Sequence, residues 1–129
     1  MKFRASAVAA EEMPDLESFV VALAEDAEGS GRALTLARGL TPPTEQEVAL
    51  GFDTYSLSTE SGFTVYGGVT SWSLDRNSLK IVLSPDASET LDVDGGYVIR
   101  FDIDEPTWQA LRQGLERIFG DGRQLRDRD

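Results

Sequence analysis

The 129-residue chain contains no cysteine and no histidine. The first absence excludes a disulfide scaffold, a thiolate metal site and a cysteine nucleophile. The second removes the usual metal ligand and the usual general base at neutral pH. Lysine is scarce, with only Lys2 and Lys80, and neither lies in a pattern that would activate a serine. No apolar run approaches the roughly 20 residues that span a bilayer as a helix. The opening "MKFRASAVAAEEM" imitates a secretory leader, but its apolar stretch is too short and Glu11 and Glu12 close it at once. The chain therefore reads as cytoplasmic. What it has in excess is negative charge: 23 acidic residues against 12 basic, a net of −11. Such a chain repels nucleic acid and anionic membranes and attracts a basic partner or cations. The same charge also serves plain solubility.

Alternation of apolar and polar residues predicts strands along most of the length. "KFRASAVAA" and "ESFVVALAE" are two, separated by a turn at Pro14-Asp15, and "GRALTLARGL" is a third. Pro42-Pro43 then forbids a strand, and Thr44 with Glu47 resembles a capping box. Residues 40–52 are expected to form a long surface loop. From Asp53 to Ser84 the pattern is that of a β-meander with turns at "TESG" and "DRNS", Asn77 being suited to a left-handed position. A short helix is expected after Pro85, and "YVIRFDID" returns as a strand with Tyr97, Ile99, Phe101 and Ile103 facing in.

The clearest element is the last. "DEPTWQALRQGLERIFGDG" has Asp104 as a cap, Pro106 in the first turn and Gly120 as a stop. Trp108, Leu111, Leu115, Ile118 and Phe119 form one helical stripe, the cover that a sheet with one apolar face requires. Gly114 within the stripe permits close approach to the sheet. The expected fold class is α+β: a largely antiparallel, twisted sheet, a β-meander, with one long C-terminal helix packed on it. Residues 121–129 are expected to form a charged, frayed tail.

A search for chemistry finds little. "EGSGR" lacks the spacing and the lysine of a phosphate-cradling loop, and "DVDGG" lacks the ligand spacing and closing glutamate of a calcium loop. Asp102 and Asp104 would share a strand face, as a hard-cation site could use. The simpler reading makes Asp104 a helix cap and leaves Asp102 in solvent. No catalytic, cofactor-binding or metal-binding residue is assigned.

Binding then rests on two surfaces. One is the acidic set Asp92, Asp94, Asp102, Asp104 and Glu105, expected toward one end of the fold. The other is "VYGGV", where paired glycines inside a strand pattern mark a bulge or bend and would tilt Tyr66 off the regular face.

At these residues the chain resembles a known family. The opening "MKFRASAVAAEE", the segment "ALGFDTYSLS" followed by "YGGV", the meander "VTSWSLDRNSLKIVLSPDA" and the close "FDIDEPTWQALRQGLERIFG" are similar, in order, to the immunity protein 10 family. The similarity runs from about residue 1 to 120 and implies a single domain of that extent. It implies a cytoplasmic, non-catalytic protein without cofactors that neutralises a cognate toxin domain of a bacterial polymorphic toxin system. "DTY" and "YGG", here Asp53, Thr54, Tyr55, Tyr66, Gly67 and Gly68, are family pattern. The expected partner contacts are accordingly Asp53, Tyr55, Tyr66, Asp92, Asp94, Asp102, Asp104 and Glu105, facing a basic toxin domain, with nucleases in view. Homodimer formation is left open. The competing reading is a small ligand-binding or accessory domain with an apolar pocket between a curled sheet and the helix.

Overall fold

The computed structural model describes residues 1–16, 18–26, 31–39 and 55–119. In chain order its strands are β1 (Lys2–Ala5), β2 (Ala7–Met13), β3 (Ser18–Ala24), β4 (Ala33–Gly39), β5 (Ser56–Thr59), β6 (Thr64–Tyr66), β7 (Val69–Leu74), β8 (Ser78–Leu83) and β9 (Gly96–Phe101). Helix α1 (Pro85–Leu91) precedes β9, and helix α2 (Glu105–Phe119) follows it. The class is α+β, with strands predominating and the C-terminal helix where its stripe and cap placed it.

The strands form two sheets, not one. β1-β9-β8-β7 make a four-stranded sheet and β2-β3-β4-β5-β6 a five-stranded one. Every pairing is antiparallel except β1 with β9. "KFRASAVAA", expected as one strand, is divided at Ser6: β1 pairs with β9, and Ala7 then opens the ladder with β3 opposite Ala24. The expected meander is divided likewise at Gly67-Gly68, where the chain leaves β6 for β7 in the other sheet. The sheets thus share continuous chain at both pairs of neighbouring edges, as in packings whose corners are strands that bend from one sheet into the next.

One continuous core results. Period-two alternation sends Phe3 and Ala5, Leu79 and Ile81, and Tyr97, Ile99 and Phe101 inward from the four-stranded sheet. Val21 and Leu23, Leu34 and Leu36, and Leu57 come inward from the five-stranded sheet. Ile103, expected to continue the inward row, lies beyond the end of β9 and is only half-buried.

Helix α2 lies along β2, β3 and β4. Leu111, Leu115 and Ile118 are fully buried, each worth roughly 1.5–3 kcal/mol of transfer free energy. A Cβ on Gly114 would stand 3.0 Å from side-chain atoms of Ala10, Phe19 and Val21, so glycine is what lets the helix backbone come this close. The helix start is tied to the other sheet: Trp108 Nε1–H donates to the carbonyl of Asp75, in the β7–β8 turn, at 3.0 Å. Its end is tied to β4, where Arg38 donates to the carbonyl of Ile118 at 2.7 Å. Phe119 closes the space between the sheets, its ring 5.0 Å from those of both Tyr55 and Trp72.

Two details differ from expectation. Asn77 does not take a left-handed conformation; its carbonyl accepts from Phe101 N–H and so extends the β8–β9 ladder. The left-handed non-glycine residue among those described is Asp92, at φ 60°, which ends α1. The Pro42-Pro43 loop, the Thr44–Glu47 capping box, the Gly120 stop and the tail at 121–129 lie outside the described residues.

Candidate partner-binding surface

The glycine pair performs the crossing between sheets. Gly67 and Gly68 have φ of 76° and 95°, a region that only glycine enters without steric cost. Tyr55 holds both sides of the crossing. Its carbonyl accepts from Gly67 N–H at 2.8 Å, and its phenolic oxygen accepts from Val69 N–H at 3.1 Å. Gly68 passes against α1: its carbonyl accepts from Ser84 N–H at 2.8 Å, and a Cβ there would lie 2.7 Å from that of Ala87. Ser84 in turn caps α1, its hydroxyl accepting from Ala87 N–H. "DTY" and "YGG" are therefore coupled through Tyr55, whose backbone and side chain fix where the chain changes sheet.

That arrangement corrects one expected contact. Tyr55 is only 7% exposed and packs edge-on against Phe119, so it belongs to the core and not to a partner surface. Burial raises its pKa above the ordinary 10.0, against the opposing hydrogen bond from Val69 and the charge of Arg38. Asp53 and Thr54 lie outside the described residues. Tyr66, in contrast, is 54% exposed beside the crossing. Phe63, also on the β5–β6 hairpin, is 45% exposed and was not anticipated. Its alternation with Thr64 and Val65 just after the Gly62 turn gave no reason to expect it in solvent.

The five carboxylates are not gathered at one end. Asp92 and Asp94 precede β9, while Asp102, Asp104 and Glu105 follow it. Six extended residues between them span about 20 Å. At the far end the roles are structural. Asp104 Oδ1 accepts from Thr107 N–H at 3.0 Å, and hydrogen bonds from Thr107 hold the carboxyl below its ordinary pKa. Glu105 meets Arg76 at 3.6 Å and accepts from Gln109 at 2.8 Å. Asp94 and Asp102 are exposed. Among the described residues no three acidic groups converge in a way that would hold a metal ion.

A second charged surface was missed. "LKI" and "IRF" each place a cation between inward apolar residues, "KFR" sets two cations about the inward Phe3, and the register of β1, β8 and β9 aligns these cations. Lys2, Arg4, Lys80 and Arg100 all stand exposed on the outer face of the four-stranded sheet. Each strand's pattern was legible, but which strands lie side by side was not. No helix among the described residues is long and apolar enough to cross a membrane.

Neither a search of curated proteins nor one of solved structures gives a match to this chain. A family model does: that of Immunity protein 10 matches residues 4–109, from β1 into the first turns of α2. The match includes both crossings between the sheets and the Tyr55 that secures the second. The chain belongs to the Immunity protein 10 family, and its role is therefore immunity toward a cognate toxin.

Proposed function

We propose that this protein acts in the cytoplasm of a toxin-producing bacterium, where it binds one toxin domain of a polymorphic toxin system and blocks it without covalent change. Family membership carries this reading. Inhibition by occupancy needs no nucleophile, base or metal, and the chain has neither cysteine nor histidine. The −11 charge suits a basic toxin domain, a class that includes enzymes acting on nucleic acid. Charge of that size steers encounter and acts mainly on the association rate.

Tyr66 is the proposed anchor, because its ring is exposed where the backbone turns out of β6. Anchors of this kind sit in desolvated pockets of the partner, and truncating one costs about 2 kcal/mol or more of binding. Asp94 and Asp102 remain available as rim carboxylates. The test is co-expression with the toxin domain encoded beside this gene, scored by growth and then by purification of the pair. Protection and a recovered complex are expected, with Tyr66→Ala accelerating dissociation. Continued killing in the presence of soluble, folded protein, with no complex recovered, would defeat the proposal.

A further inference from the structure

We infer that the outer face of the four-stranded sheet is a docking surface for an acidic patch on the toxin domain. This inference rests on the immunity reading above. The register builds the surface in two rows. In one, Lys2 stands opposite Val98, Val98 opposite Lys80, and Lys80 opposite Ser73. In the next, Arg4 stands opposite Arg100 and Arg100 opposite Ser78. The rows are about 7 Å apart and neighbouring strands about 4.8 Å, so four cations occupy a small exposed area. Between Lys2 and Lys80 a shallow depression of about 290 Å³ exposes Val82 and Val98, with Asp94 on its rim.

Three observations set this face apart. The chain has nearly twice as many carboxylates as cations, yet none stands at these strand positions. The ion pairs of the described residues join Arg76, Arg112 and Arg117 to glutamates and leave these four cations out. Arg4 and Arg100 are direct cross-strand neighbours, an arrangement of like charges that weakens a sheet. Protection of an exposed edge explains cations on β1, but not on β8 and β9, which are paired on both sides.

An acidic protein patch fits best. A second copy joined about a two-fold axis through this face would set cation against cation. Nucleic acid would bring a long polyanion toward a molecule of net charge −11. A toxin domain whose overall charge is basic is drawn in by the −11 field. A local group of its carboxylates, seated on the two rows around Val82 and Val98, then fixes its orientation.

The test is titration calorimetry of the full chain against the purified toxin domain encoded by the neighbouring gene. Lys2→Glu/Lys80→Glu and Arg4→Glu/Arg100→Glu are compared with Arg32→Glu/Arg112→Glu, which changes the charge equally elsewhere. Each face variant should weaken binding about tenfold or more, and the control less than about threefold. Arg4→Ala/Arg100→Ala, which relieves the repulsion without reversing it, should keep or raise the thermal midpoint and still weaken binding. Wild-type binding that all three face variants retain would overturn the docking face and leave the immunity reading standing. Absence of wild-type binding would remove both. Sedimentation of the wild type alone, and with a 20-base-pair duplex, covers the other occupants. Self-association or duplex binding abolished by the same variants would replace the acidic toxin patch and overturn the inference.

Discussion

The chain passes between its two sheets twice, and it does so by different means. At Ser6 no glycine is used. Ser6 N–H donates to the carbonyl of Ala24 at 2.9 Å, and its hydroxyl donates to that of Glu25 at 2.6 Å. The end of β3 thus receives the crossing chain in ordinary backbone conformations. At Gly67-Gly68 both residues take φ values that other residues rarely adopt, the second leaves no room for a Cβ beside Ala87, and Tyr55 binds on either side. The first crossing is solvent-exposed and rests on local hydrogen bonds. The second lies against Ala87 of α1, is held on both sides by the buried Tyr55, and rests on steric room. A corner that turns in the open can be made by almost any polar residue, whereas one that turns against packed side chains needs glycine.

Substitutions should separate the two corners, and the largest effect belongs to Gly68. Gly68→Ala meets both an unfavourable φ and a 2.7 Å contact, and should destabilise by about 3 kcal/mol in denaturant unfolding. Adding Ala87→Gly should recover only the contact part of that loss. Full recovery would show that backbone strain contributes nothing, and no loss in the single variant would erase the distinction between the corners.

Tyr55→Phe keeps the ring against Phe119 but strands the buried Val69 N–H. A loss of about 1–3 kcal/mol is expected, with faster amide exchange at Val69 as the specific sign. Unchanged exchange there would mean that the phenol does not hold the crossing. Ser6→Ala removes one exposed hydrogen bond at the other corner and should cost only about 0.5–1 kcal/mol. A value matching Gly68→Ala would make the two corners equivalent.

The smallest effect is expected away from both corners, at the helix cap. Because hydrogen bonding lowers the folded pKa of Asp104, its stabilising effect is present above the ordinary carboxylate value of 3.8 and is lost as pH falls through the folded value. Thermal midpoints of wild type and Asp104→Ala should therefore differ at neutral pH and converge in acid. Parallel curves throughout would remove the charged cap from the account.

Much of this was legible in the sequence, for reasons that differ from element to element. The stripe Trp108, Leu111, Leu115, Ile118 with its Asp104 cap declares a helix, because both signals are local and recur every turn. Alternation in "SLKIVL" and "YVIRF" declares strands and their inner faces. The glycine pair was recognisable as a break, but its meaning was not. A bulge within one sheet and a passage into a second share the same local conformations, and only the position of Tyr55 and Ala87 in space distinguishes them. Tyr55 shows the limit most sharply. Alternation puts it on the row of Leu57, but its partners Val69, Gly67 and Phe119 lie 12 residues or more along the chain, so its hold on the crossing could not be read locally.

Composition and local periodicity suffice for the α+β class, the inward rows of the regular strands, the capped C-terminal helix, the acidic balance and the lack of cysteine and histidine. These depend on periods of two and 3.6 residues and on composition, which folding cannot alter. Long-range packing was needed to decide that there are two sheets and that β1 lies beside β9. It likewise brought Lys2, Arg4, Lys80 and Arg100 onto one face. Strand adjacency is a long-range choice, made by which apolar rows bury one another, and no local pattern along the chain records it.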